Sequence, residues 1–175
     1  IALDQSPNDP ELMTLIASAH VRNGDRELAR DLLSLAAETS SYAPVESLRN
    51  AQVLVGTEKY LSAEDVLVNA LRRAPTNLQL LSALGEVYVR MADWPRAEHV
   101  EQTLRGLETD AGEGAADGIR LAILNAQERA GDALEFLSEL ASGENVYFRA
   151  LTIAVQSLLN TGDVEGARAL VDEAM

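Results

Sequence analysis

The chain contains no cysteine. That excludes disulfides, thiolate zinc sites and thiol catalysis, and it leaves a cytoplasmic and a periplasmic setting equally open. Aromatic residues are scarce at 4%, with a single tryptophan, Trp94. The 47% apolar content is therefore carried mostly by alanine and leucine, both strong helix formers. No stretch sustains a period of two, so an all-α protein is expected. No apolar run approaches the roughly 18 residues of a membrane span, and no membrane insertion is expected within this segment. Positive charge is scarce as well: 14 basic residues face 28 acidic ones, for a net charge of −14. Phosphate binding rests on clustered lysine and arginine, so nucleic acid is not expected as a partner. The acidic excess favours solubility and mutual repulsion between copies. Lys59 is the one lysine among the basic residues, an arginine bias associated with bacterial proteins.

What is present is a beat. Ala29, Ala63 and Ala97 stand 34 residues apart, and Ala133 and Ala167 repeat that step after one interval of 36. Ala17, Ala51 and Gly85 form a second series of period 34, and Ala2, Ala36 and Ala70 a third. Small residues at one phase of a fixed period of this length indicate a stacked repeat array.

Each unit reads as two helices joined by a tight turn. Leu12, Leu15, Ile16 and Ala19 share the face of a first helix, which Asn23-Gly24-Asp25 ends; Leu28, Leu32, Leu33, Leu35 and Ala36 follow on a second. Glycine supplies the left-handed conformation that stops a helix, and aspartate caps the next one. Gly131-Asp132, Gly162-Asp163 and Ala92-Asp93 are expected to make the same turn. Prolines at Pro7, Pro10, Pro44 and Pro75 mark where one unit hands over to the next. Units are placed at about 10–43, 44–77, 78–116, 117–147 and 148–175, with 1–9 as the tail of a preceding one. Because both ends fall inside units, a piece of a longer array is expected. Four glycines and four acids between Gly106 and Gly118 predict an acidic loop over 106–118, separating two halves of the array, and a fourth unit whose second helix is short by about a turn.

These residues resemble the tetratricopeptide repeat family over nearly the full length. The small residue of the first helix is met by Ala17, Ala51 and Gly85, and that of the second by Ala29, Ala63, Ala97, Ala133 and Ala167. Tyr88 supplies the aromatic three positions after the first, where His20 and Leu54 depart from the pattern; Tyr60 and Trp94 open second helices, and Pro7 and Pro75 close units. Leu124 and Val155 take the small slot in units four and five. The resemblance implies an all-α, right-handed superhelical solenoid of antiparallel helix pairs, about five repeats long. It also implies that first helices line a concave groove where a protein or peptide partner binds. On that reading the groove presents Thr14, Ser18, Arg22, Arg49, Gln52, Ser82, Glu86, Arg90, Asn125, Arg129, Gln156 and Asn160.

Charge divides unevenly between the helices. Arginines 22, 49, 90, 120, 129 and 149 outnumber Glu11, Glu46, Glu86, Asp117 and Glu128 on the expected first helices, leaving the acidic excess to second helices and loops. Guanidinium forks suit carboxylates, which makes an acidic peptide the expected ligand; the alternative use of these arginines is pairing with Glu86 and Glu128. The chaperone-tail-binding members of the family use a lysine and asparagine clamp in first helices, and Lys59 lies outside them. His20 is expected in the core and His99 in solvent, without metal. Trp94, at a helix start, is expected to pack between units. Gly112 to Gly118 is no phosphate loop, since acids surround it and no lysine follows. No GxSxG elbow, HExxH or P-loop is present, so neither catalysis nor a cofactor is expected. The expected function is a non-enzymatic scaffold for a peptide or protein segment. The alternative is an accessory repeat region of a larger enzyme, or of a bacterial envelope, polysaccharide-export or protein-sorting assembly. Self-association to a homodimer through Leu151, Leu158, Leu170 and Val171 is a further expectation.

Overall fold

The structure, a computed structural model, describes residues 8–141 together with Val155, Glu165, Gly166 and Arg168. Among the described residues there are eight helices and no strand: α1 Pro10–Asn23, α2 Arg26–Thr39, α3 Pro44–Gly56, α4 Tyr60–Leu71, α5 Leu78–Arg90, α6 Trp94–Arg105, α7 Asp110–Ala126 and α8 Ala130–Ala141. They group into two compact units, one running to Met91 and the other starting at Ala92.

The first unit holds α1 to α5. Asp9 caps α1, its carboxylate accepting from the backbone N–H groups of Glu11 and Leu12 at 3.0 and 3.1 Å, with Pro10 in the first turn. Gly24 ends that helix at φ 87°, a left-handed geometry that a Cβ disfavours. Consecutive helices pack on one another through α5, and first helices also meet: α1 touches α3, and α3 touches α5. The ladder residues sit at these crossings. Ala17, Ala29, Ala36, Ala63 and Ala70 are all fully buried, and their small size lets backbones approach to about 8 Å. Longer side chains complete the core, among them Met13, Leu33, Leu67, Leu80 and Val87. Across elements, Arg73 donates to the Ser41 carbonyl at 2.6 Å, and the Tyr88 hydroxyl to Glu64 at 3.2 Å.

The second unit contains α6 to α8, and here the structure corrects the sequence reading. Residues 110–118 are not a loop but the first half of α7. Thr109 caps that helix, accepting from the Gly112 N–H at 3.0 Å, and Asp110 and Glu113 place negative charge where the helix dipole is positive. Gly112 is needed for packing rather than for a turn: a Cβ there would stand 2.6 Å from the Leu104 carbonyl oxygen of α6. The division of the chain falls between Met91 and Ala92 rather than at 106–118, because α6 and α7 pack together.

The turn predicted at Gly131-Asp132 is displaced too. Those residues lie inside the first turn of α8, which starts at Ala130, two residues before Asp132, so the expected shortening of this helix is absent. The chain reverses at Gln127-Glu128-Arg129, with Glu128 at φ 57°. Between α6 and α7, Arg105 bonds Asp117 at 2.8 Å and Glu101 at 3.0 Å, while Arg120 stands 3.8 Å from Glu101 and 5.5 Å above the Phe136 ring. Asp117 is almost fully buried. Burial alone would lower the Arg105 pKa, but the bonds to Glu101 and Asp117 outweigh it and raise it. Residues 1–9 as a preceding tail, most of the last predicted unit and the proposed dimer face of Leu151, Leu158, Leu170 and Val171 lie outside the described residues, Asn8 and Asp9 excepted.

Candidate functional site

Helices α1, α2 and α3 of the first unit enclose an open cleft of about 440 Å³. Its apolar wall is made by Leu33 of α2 and Val53 of α3, with Val21 of α1 at 40% exposure on the edge. Three arginines surround it: Arg22 in the last turn of α1, Arg26 at the start of α2 and Arg49 on α3. Among the described residues, no hydrogen bond or ion pair occupies any of these three guanidinium groups. Other arginines are engaged: Arg30 holds Asp31 at 2.7 Å and Arg96 holds Asp93 at 2.7 Å, which lowers the Asp93 pKa. Ser18 and Gln52 add polar atoms to the cleft, although the Ser18 hydroxyl donates to the Thr14 carbonyl at 2.8 Å.

Local sequence explains the convergence. Ser18 and Arg22 are four apart on α1, and Arg49, Gln52, Val53 and Gly56 occupy one stripe of α3 by the i, i+3, i+4, i+7 rule. Contact between α1 and α3 then brings the two stripes together. Of the residues expected in a groove, Ser18, Arg22, Arg49 and Gln52 share this cleft. Arg26 was not among them because it lies on a second helix. Its signal was the spacing of four from Arg22 across the tight turn at Gly24-Asp25.

The remaining expected residues are placed elsewhere. Thr14 is a core residue at 7% exposure, its hydroxyl lacking a partner. Ser82, Glu86 and Arg90 are on α5, where the Ser82 hydroxyl donates back to the Leu78 carbonyl at 2.8 Å. Glu86 is exposed as a residue, yet neighbouring protein displaces enough water around its carboxyl to push the pKa up, with the charge of Arg90 pulling the other way. Asn125 is exposed near the end of α7. Arg129 is not on a first helix: it sits in the α7–α8 turn and bonds Asp132 at 2.5 Å and Gln127 at 3.2 Å. Because α7 runs from Asp110 to Ala126, it gains Asp110 and Glu113 and loses both Glu128 and Arg129, and is acidic rather than near neutral. Gln156 and Asn160 lie outside the described residues. His20 is only partly buried, its Nδ1 3.4 Å from an Asp25 carboxylate oxygen, and His99 is exposed. No group of three metal-ligating side chains occurs, and no helix is long and apolar enough to cross a membrane, among the described residues.

No family model matches the sequence, and no curated protein sequence matches it. Solved structures do match the fold. The chain superposes on YrrB, described as a TPR protein with an unusual peptide-binding site, with a TM-score of 0.60 at 22% identity, covering 99% of this chain and 88% of that one. PilF of Pseudomonas aeruginosa gives a TM-score of 0.64 at 16% identity, covering 97% and 76%. MamA from Desulfovibrio magneticus RS-1 gives 0.60 at 15%, covering 94% and 92%. The chain has a TPR-like fold, an all-α helical repeat.

Proposed function

We propose that this chain is a non-enzymatic interaction scaffold that holds an acidic segment of a partner polypeptide in the cleft between α1, α2 and α3. One observation carries the reading: Arg22, Arg26 and Arg49 converge on a cleft with an apolar wall, and among the described residues no carboxylate neutralises them. An arginine fork binds a carboxylate through two parallel hydrogen bonds, and Leu33 and Val53 offer a dry surface for an aliphatic side chain beside it. A short peptide carrying leucine between acidic residues meets both requirements. The general role agrees with the fold, since a neighbour of the same architecture is described as binding peptide.

The test uses a fluorescein-labelled peptide with leucine flanked by two glutamates on each side, followed by anisotropy. Arg22→Glu and Arg49→Glu are each expected to weaken binding by at least about tenfold, because each replaces a charge-assisted contact with like-charge repulsion. The melting temperature is expected to hold, because neither guanidinium supports the fold through an ion pair. Arg129→Glu, which does not line the cleft and belongs to the second unit, is the control and should bind normally. If the two cleft variants lose stability as much as affinity, the arginines are structural and the proposal fails.

A further inference from the structure

The same unit carries a second cleft, which shares no residue with the first. Its origin lies in a break of the 34-residue pattern on α3. At the core phases where α1 has Leu12, Met13 and Ile16, and α5 has Leu80, Leu81 and Leu84, α3 has Glu46, Ser47 and Asn50. All three are buried, Asn50 to 1% exposure and Ser47 completely. The Ser47 hydroxyl and the Asn50 Oδ1 have no hydrogen-bond partner. Burying an amide oxygen without a donor costs stability, and a leucine at that phase would avoid the cost. A polar group kept in place of a better-packing apolar one points to a ligand that completes it.

Asn50 lines a cleft of about 470 Å³ between α2 and α4. The Glu38 and Asp65 carboxylates line it, with the Ser34 and Ser62 hydroxyls able to accept beside them. Neither carboxylate is taken by an ion pair among the described residues. Of the two cations on the rim, Arg30 is engaged by Asp31 at 2.7 Å, and Lys59 stands exposed at the start of α4. The cleft thus offers an unused buried acceptor, two carboxylates and a whole-chain charge of −14. Its volume exceeds that of one side chain, leaving room for flanking residues.

We infer that this cleft between α2 and α4 is a second binding site, taking the guanidinium or ammonium group of a basic side chain on a partner polypeptide, with Asn50 Oδ1 as the buried acceptor. The test is an NMR titration of the whole 175-residue chain with N-acetyl-arginine amide, its neutral analogue N-acetyl-citrulline amide, and the pentapeptide amide Gly-Ala-Arg-Ala-Gly. The arginine probe should give saturable shifts at Ser34, Asn50, Ser62 and Asp65, and citrulline should bind about tenfold more weakly or not at all. The pentapeptide should bind several-fold tighter than the single residue; equal affinity would mark a small-molecule site and overturn the polypeptide assignment. Acetate should leave these resonances unmoved, and shifts with acetate would reverse the assigned charge. Asn50→Leu restores the residue type of the neighbouring repeats, so it should raise the melting temperature by about 4 °C while binding falls at least about tenfold. Asp65→Asn, isosteric and exposed, should weaken binding several-fold at unchanged melting temperature. A lowered melting point for Asn50→Leu, or binding unaffected by both variants, overturns the proposal. None of these outcomes depends on the arginine cleft, which Arg22→Glu and Arg49→Glu test separately.

Discussion

Five residues ahead of Ala29, Ala63, Ala97 and Ala133, one residue takes a left-handed backbone: Gly24 at φ 87°, Glu58 at 58°, Ala92 at 54° and Glu128 at 57°. Their spacing is 34, 34 and 36, the same as that of Ala29, Ala63, Ala97 and Ala133. The bonds that impose this geometry run from Asp25 N–H to the His20 carbonyl, from Lys59 to Leu54 and from Arg129 to Leu124, at 2.8–2.9 Å, the long bond of a Schellman cap. Gly24-Asp25 and Ala92-Asp93 announced their turns in the sequence, whereas nothing marked Glu58 or Glu128. At Glu58 and Glu128 the backbone bonding overrides residue preference, so composition carries no signal there, and a search for glycine settles instead on Gly131, which is helical. A left-handed conformation costs an ordinary residue about 1–2 kcal/mol, whereas glycine adds unfolded-state entropy of about 0.4–1 kcal/mol. Glu58→Gly and Glu128→Gly are therefore each expected to stabilise by about 0.5–1 kcal/mol. Urea unfolding would show this as a higher midpoint at unchanged slope. A lower midpoint would mean that the glutamate side chains hold the turns by contacts of their own.

At the scale of elements, helix identity was legible wherever apolar spacing was strong, and it failed where glycine was dense. Residues 110–118 carry Gly112, Gly114 and Gly118, each of which costs a helix interior about 1 kcal/mol relative to alanine. Propensity therefore argued for a loop. Three things outweigh it: the Thr109 cap, the early acids at Asp110 and Glu113, and burial of Ala116, Ile119, Leu121 and Leu124 against neighbouring helices. None of these is a property of glycine content, and the last depends on a packing partner that a local reading does not see. The two effects make opposite forecasts for Gly112→Ala. Propensity alone predicts a gain, but the new Cβ would lie 2.6 Å from the backbone oxygen of Leu104, which cannot move without disturbing α6. The substitution is expected to destabilise by about 1–3 kcal/mol, the range for overpacking. Gly118→Ala, where a Cβ meets nothing, should instead stabilise modestly. Thermal or urea unfolding of the two variants side by side reads the contrast, and a gain for both would show that α7 does not depend on close approach to α6.

For the whole molecule, composition predicted more about association than about the site. The net charge of −14 was legible at once, whereas the three-arginine cleft needed the packing of α1 against α3 to assemble it. The two act on an acidic peptide with opposite signs and different reach. At about 10 mM salt the Debye length is about 30 Å, so an approaching acidic peptide meets the field of the whole acidic chain. At about 150 mM it is about 8 Å, and only charges beside the cleft are felt. Salt should therefore raise the association rate between those two concentrations, the reverse of what steering by opposite charge gives. The dissociation rate should rise as well, because the arginine contacts are themselves weakened. The affinity is then expected to pass through a maximum at intermediate salt. Stopped-flow anisotropy with the glutamate-flanked leucine peptide separates the two rates. An association rate that falls steadily from the lowest salt would show that the local potential of Arg22, Arg26 and Arg49 governs encounter despite the acidic surroundings.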